Sequence, residues 1–490
     1  MHLLLALFAC TAAEDSGGTA DSAGDSGDSG DSGDSGDSGD SGDSGDSGDS
    51  GALPTFVVEV RPIATSVNAV TLLVTPEDLG VMVERVACEA PEAALSAPET
   101  VEISGTGAPG VTTLTVDGLL ADTTYTCTVS GAAAAPLTFS LRTDPLPADL
   151  AAIALSIVES TDRATPGWTL FDPFNTNGVM YQTHYAVAVD PDARVRWYVD
   201  IATFGDIDVE PVPGEGRISI GGGFRKTWPP TIYDTATNEL DHVPVDVAGY
   251  ANHALTVTAD SYWFITGHTT EDVCVMQVAR ADHTETWRWC LAENGYPTGG
   301  GFNAMDVQVN DRRHEILLSM TSSGLVFDVD YPSGQVNWTL GATGSIVVPE
   351  WPVWTHDTRL VDCVDGTDCV LAYANNWIGE TARPSLALEL AVDPASGTTG
   401  AQRAWTEEGW SEHHWGSVQP MGDGHWFIGM GHNDAEIRTS NDTSIVEVDP
   451  DSGEVLWRLS VQPANIGLYR ARHVGICELF HHTGYCPTGD

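Results

Sequence analysis

One structural phrase recurs from residue 186 to residue 457 of this 490-residue chain: a strand ending in Asp, a turn, then a strand carrying Trp. It reads Ala186 to Asp190 with Val195-Arg196-Trp197, Val275 to Ala279 with Thr286-Trp287-Arg288-Trp289, and Val326 to Asp330 with Val336-Asn337-Trp338. It returns at Leu388 to Asp393 with Arg403-Ala404-Trp405 and at Ile445 to Asp449 with Val455-Leu456-Trp457, and a weaker copy sits at Thr231-Ile232-Tyr233-Asp234. Repeats spaced by roughly 45–60 residues cannot each bury a hydrophobic face alone, so they must stack, and six such copies predict six four-stranded blades of a β-propeller. The predicted fold class is all-β, with the propeller spanning 150–490 and its C-terminal strand closing the first blade.

Ahead of the repeats, residues 53–145 alternate as short strands, and Val116 to Tyr125 resembles the tyrosine corner of fibronectin type III domains. A fibronectin-III-like β-sandwich is expected there, separated from the propeller by the two prolines between Asp144 and Asp149. Residues 11–52 carry an Asp-Ser-Gly repeat with nothing apolar to bury, which reads as an extended, solvated tether. Residues 1–10 contain a seven-residue apolar run that stops at Cys10. Leu7-Phe8-Ala9-Cys10 resembles a bacterial lipobox, which implies lipidation of Cys10; a truncated ordinary signal peptide is the other reading. No later stretch has the ~18 apolar residues of a membrane helix, so membrane attachment rests on that lipid. The expected location is the bacterial cell envelope, lipid-anchored at the outer membrane or cell surface.

Charge narrows the partners. The net charge is −50, of which the first 51 residues hold 12 acidic groups and no Lys or Arg. A surface this acidic repels a phosphate backbone, which excludes nucleic acid as a partner. Lys226 is the only lysine, so anions must be met by arginines. Eight cysteines beyond Cys10 fall into sequence-local pairs: Cys88 with Cys127, Cys274 with Cys290, Cys363 with Cys369, and Cys477 with Cys486. No pair has the short gap of a structural zinc site, so disulfides in an oxidising compartment are expected, with no metal and no cofactor.

Aligning the innermost strands on an apolar anchor places Arg470, Gly205, His253, Asn303, His356 and His414 at one position of the ring. Histidines, an amide and an arginine at one height suit the binding of an anion. Trp351, Trp354 and Trp415 lie near that level as platforms for an aromatic ring. His413, His425, His432, His481 and His482 are assigned no role.

Trp354-Thr355-His356-Asp357, the run Val370 to Asn376, the Asp-turn-Trp hairpins and Tyr469-Arg470-Ala471 together resemble the bacterial arylsulfotransferase family over about Trp168 to Val474. The resemblance implies an exported six-bladed propeller that moves a sulfuryl group from an aryl sulfate to a phenolic acceptor. It implies His356 as nucleophile, with His253 and Arg470 assisting the reaction, and with His414, Asn303, Trp354, Trp415 and Arg472 around the substrate. Asp357 is read either as orienting an imidazole or as an exposed turn residue. The chain departs from the family at Asn303, Met305 and Thr321, where two oxyanion donors are changed. The alternative is therefore a propeller without turnover that binds an anionic or aromatic ligand, or a protein, in the same funnel.

Overall fold

The computed structural model describes residues 53–480 apart from 91–98, 106, 176–181, 205–207, 222–228, 235–238, 249–250, 268–271, 298–303, 311–314, 321–323, 350, 352–354, 364–367, 375–383, 413–414, 432–442 and 464–465. The fold is all-β. The first two sheets face each other across one core. One joins Phe56–Ile63, Ser66–Pro76 and Thr112–Val116; the other orders Glu99–Ser104, Arg85–Ala90, Thr124–Ser130 and Leu137–Arg142. Val70, Leu72 and Val74 from one sheet and Val86, Cys88, Tyr125 and Val129 from the other alternate inward, as period-two side-chain direction requires. Within the corner segment the Leu120 N–H donates to the Tyr125 hydroxyl at 2.7 Å.

Six further sheets follow among the described residues, antiparallel except for the short parallel edge strand Ile346–Val347 in the fourth. The first is built as Ile466–Val474, Trp168–Asn175, Gln182–Val189 and Val195–Phe204, so the C-terminal strand supplies its inner edge. The inner strands of the next five are Val209–Val212, Ala251–Val257, Ala304–Asn310, Thr355–Asp362 and Ser417–Pro420. Each of these six inner strands packs beside the next, and the contacts return from Ser417–Pro420 to Ile466–Val474, closing a ring. The sixth sheet gains Ala154–Ser160 as its outermost strand. The sequence reading missed this strand because its inward alternation is only two residues long, Leu155 and Ile157, and most of its side chains are exposed. Closure is thus shared between an early strand and the last one.

The recurring turn has a local cause. In the hairpins starting at Asp330, Asp393 and Asp449, the fifth residue is Gly334, Gly397 or Gly453 at φ 73°, 67° and 78°, where a side chain on Cβ is strained. Its N–H returns to the Asp carbonyl at 2.8–2.9 Å. The Asp carboxylate then accepts backbone N–H groups inside the turn, as Asp393 does from Ala395 and Ser396. The tryptophans lock neighbouring sheets together: Trp289 Nε1 donates to the Gly334 carbonyl at 3.0 Å and Trp405 Nε1 to the Gly453 carbonyl at 3.3 Å. Disulfides join Cys88 to Cys127, Cys274 to Cys290 and Cys363 to Cys369. Cys477 is also disulfide-bonded, and Cys486 lies outside the described residues.

Candidate functional site

Four inner strands bulge at nearly the same level. Pairing skips at His253 and Ala254, at Met305, at Asp357 and Thr358, and at Tyr469 and Arg470. A bulge re-aims the side chains beside it and interrupts the ladder. At Asp357 the backbone takes φ 47°, and at the closing strand the freed N–H groups of Tyr469 and Arg470 both donate to the buried Asp172 carboxylate at 3.0 and 2.9 Å.

The bulges gather a charged cluster on the inner strands of the first, second and fifth sheets. Asp357 Oδ1 accepts from Arg470 Nη1 at 3.0 Å, Arg472 Nη2 at 3.0 Å and Arg359 Nη2 at 2.9 Å. Its Oδ2 accepts from Arg472 Nη1 at 2.6 Å and from the Val418 N–H at 2.9 Å. Glu210 takes the other edge of Arg472, with Nε at 2.6 Å. Asp208 lies 3.3 Å from Arg470 Nε. Three carboxylates therefore balance three guanidiniums, and Asp357, Asp208, Arg470 and Arg472 are all buried. Such pairing is what low-dielectric surroundings demand of ionised groups. Burial pushes the Asp357 carboxyl up, but Arg359, Arg472 and Arg470 outweigh it and hold it well below the usual carboxylate range. Asp208 goes the other way: burial, joined by repulsion from Glu210 and Asp357, overcomes Arg470 and Arg472 and raises it to about 7.

Several expectations change. Arg470 and Arg472 do not present free guanidiniums to a substrate, because Asp357, Glu210 and Asp208 occupy them. Asp357 is neither an exposed turn residue nor shown orienting an imidazole; it anchors three arginines. Trp415 is no open platform: it is 6 % exposed and packs edge-on against Phe174, ring centroids 4.9 Å apart, and Trp351 is likewise in the core of the fifth sheet. His356 is on the innermost strand of the fifth sheet, fully buried, with its ring 6.1 Å from that of Tyr469. His253 lies on Ala251–Val257 at the bulge, in register with Asp357 rather than with His356, so the apolar-anchor alignment slips by one residue there. Its side chain, with those of Asn303, Met305, Thr321, Trp354 and His414, is outside the described residues.

Asp208, Glu210 and Arg359 were not singled out from sequence. A signal was present: Arg470-x-Arg472 and Asp208-x-Glu210 both place two charges two residues apart, hence on one face of an inner strand. Complementary pairs on strands meant to line an axis should meet. Among the described residues two groups have metal-ligand types within reach of each other. In Asp272, Cys274 and Cys290 the sulfurs are consumed by a disulfide. Asp423, His425 and Glu447 lie at the seam between the sixth and first sheets.

No protein-family model matches the chain, and no curated protein does. Among solved structures it is similar to TolB from Acinetobacter baumannii, at 10 % identity and a TM-score of 0.39 over 71 % of this chain and 80 % of that one. It is also similar to the dihydro-heme d1 dehydrogenase NirN, at 13 % identity and a TM-score of 0.34 over 86 % and 76 %. A third is Kluyveromyces lactis Hsv2, at 8 % identity and a TM-score of 0.31 over 71 % and 92 %. Likeness at this level is of fold only and assigns no chemistry.

Proposed function

We propose that the chain is an exported, lipid-tethered six-bladed β-propeller of the arylsulfotransferase type, with a fibronectin-III-like domain ahead of it and His356 as its sulfuryl carrier. The observation that carries the reading is the position of His356: an imidazole on an innermost strand, one residue before the carboxylate on which Arg359, Arg470 and Arg472 converge. The closed series of inner strands and the Leu120 to Tyr125 hydrogen bond support the two domain assignments. The disulfides support an oxidising compartment. Anchoring at Cys10 in the cell envelope follows from the lipobox-like segment alone.

In the proposed reaction a neutral imidazole nitrogen of His356 attacks the sulfur of an aryl sulfate as the sulfur–oxygen bond to the phenol breaks, and phenolate leaves. A second phenol then gives up its proton, which balances the phenolate released in the first step, its oxygen attacks the sulfur, and the nitrogen–sulfur bond breaks to restore the neutral imidazole. The arginines act through Asp357, fixing the strand that bears His356, rather than by touching the sulfuryl oxygens. A second reading has its own support. With the axial guanidiniums neutralised and His356 without exposed surface, the propeller binds a ligand or protein without turnover.

The test incubates the purified full chain with 4-nitrophenyl sulfate and a phenol. Nitrophenolate release, and a sulfuryl adduct by intact mass that vanishes in His356→Ala, is the expected result. Neither release nor adduct with several aryl sulfates overturns the transferase reading in favour of the binding one.

A further inference from the structure

The turn of the inner hairpin in the sixth sheet brings Asp423 and His425 to its tip, where the Asp423 carboxylate accepts the His425 N–H at 3.2 Å. Glu447 stands beside them on Thr443–Val448, and the connection running from Ala154–Ser160 into the first sheet lays Thr165 across the group. Four atoms then form a closed circuit. His425 Nδ1 is 3.1 Å from Asp423 Oδ2 and 2.9 Å from Glu447 Oε1. Thr165 Oγ1 is 3.2 Å from the same Asp423 oxygen and 2.8 Å from the same Glu447 oxygen.

Two features of this circuit point to a ligand. The ring nitrogen and the hydroxyl can each place at most one proton between two carboxylate oxygens, so hydrogen bonding leaves the four atoms sharing too few protons. In addition, four donor atoms linked by edges of 2.8–3.2 Å lie at the separations that ligands about 2.1 Å from one small divalent ion have from each other. The charge agrees: two carboxylates and one imidazole leave a surplus of negative charge at a site where Asp423 is half-exposed and Glu447 is buried. On the other side, Thr165 and Glu447 border a cavity of about 230 Å³ whose wall also includes Thr161, Phe427, Trp457 and His473.

We infer that Asp423, His425, Glu447 and Thr165 form a divalent transition-metal site of the zinc class at the seam where the ring closes, with remaining coordination positions open to water. An imidazole among the ligands favours Zn²⁺ over Mg²⁺ or Ca²⁺. The bound ion would tie the sixth sheet to the strand connection entering the first, so it acts on closure as well as on any ligand entering the cavity.

The test is calorimetric titration of the metal-stripped full chain with Zn²⁺, in parallel with His425→Gln and Asp423→Asn. The Asp-Ser-Gly tract contributes weak cation binding equally to all three proteins, so the difference between them isolates the site. The expected result is one tight equivalent in the unmodified chain, weakened at least tenfold in each variant, with a Zn²⁺-dependent rise in melting temperature only in the unmodified chain. Asp423 is half-exposed, so the Asp423→Asn variant keeps the fold and far-ultraviolet circular dichroism verifies it. Identical titrations for all three proteins, or no tight equivalent in any, overturn the assignment.

Discussion

The axis of the ring and the seam where it closes both concentrate charge, and they handle it in opposite ways. On the axis, Asp208, Glu210 and Asp357 meet Arg359, Arg470 and Arg472 one for one, with Asp208, Asp357, Arg470 and Arg472 buried and Glu210 and Arg359 half-buried. At the seam, Asp423 and Glu447 are met by the His425 ring, the Thr165 hydroxyl and the backbone N–H groups of Thr165 and His425, with no guanidinium against either among the described residues and Asp423 open to water. Desolvation explains the contrast. A buried ion must be compensated inside the protein, whereas a partly solvated one can carry a surplus that water or a bound cation offsets. A saturated cluster holds structure in place; an unsaturated one has bonding capacity left for something else.

Four experiments probe this difference. The largest effect is expected for Asp357→Asn, which keeps a side chain tolerant of the φ 47° backbone but leaves three guanidiniums short of one counter-charge. Breaking one partner of a buried pair costs about 3–5 kcal/mol, measurable as a lowered urea midpoint with an unchanged slope. A small loss would mean that water reaches the axis and that the two clusters are not so different. Next comes pH. Because burial raises the folded-state carboxyl of Asp208 to about 7, the stability tied to its protonated form is complete below its ordinary value of 3.8 and is lost as pH rises through about 7. Asp208→Asn is expected to flatten that part of the stability-versus-pH curve, and an unaltered curve would show that Arg470 keeps Asp208 ionised throughout.

Smaller effects belong to the seam. Gln419 spans from the sixth sheet to the closing strand, donating to the His473 carbonyl at 3.0 Å and accepting its N–H at 2.8 Å. Gln419→Leu removes both bonds and is expected to cost about 1–3 kcal/mol, since a part-buried N–H and carbonyl lose their partner. The smallest change is expected away from both regions, between the third and fourth sheets, for Trp289→Phe, which retains most of the apolar packing but loses the bond to the Gly334 carbonyl. About 1 kcal/mol in thermal denaturation is the expected loss. A much larger one would place the outer tryptophans, not the axis, at the centre of the ring's stability.

Local sequence made much of the architecture legible. Asp at the turn start and Gly four residues on encode a hairpin through their own backbone geometry, so the outer hairpins at Asp330, Asp393 and Asp449 could be read directly. The site was legible as a set of strands but not as a set of partners. Bulges at Asp357 and at Tyr469 and Arg470 change register by single residues, and no apolar spacing announces them. Trp415 looked like an aromatic platform from its neighbours in sequence, yet Phe174, far away in the chain, covers it.

The amino-acid order alone determined an all-β chain with repeated hairpins, cysteines spaced as local staples, and a strongly acidic composition. Each of these depends on interactions within a few tens of residues or on composition. Only the tertiary structure decided that Arg472 belongs to Asp357 and Glu210, and that Thr165 meets Asp423 and Glu447. Those contacts join residues more than a hundred positions apart, and which charge meets which is set by ring closure and strand register rather than by neighbouring residues.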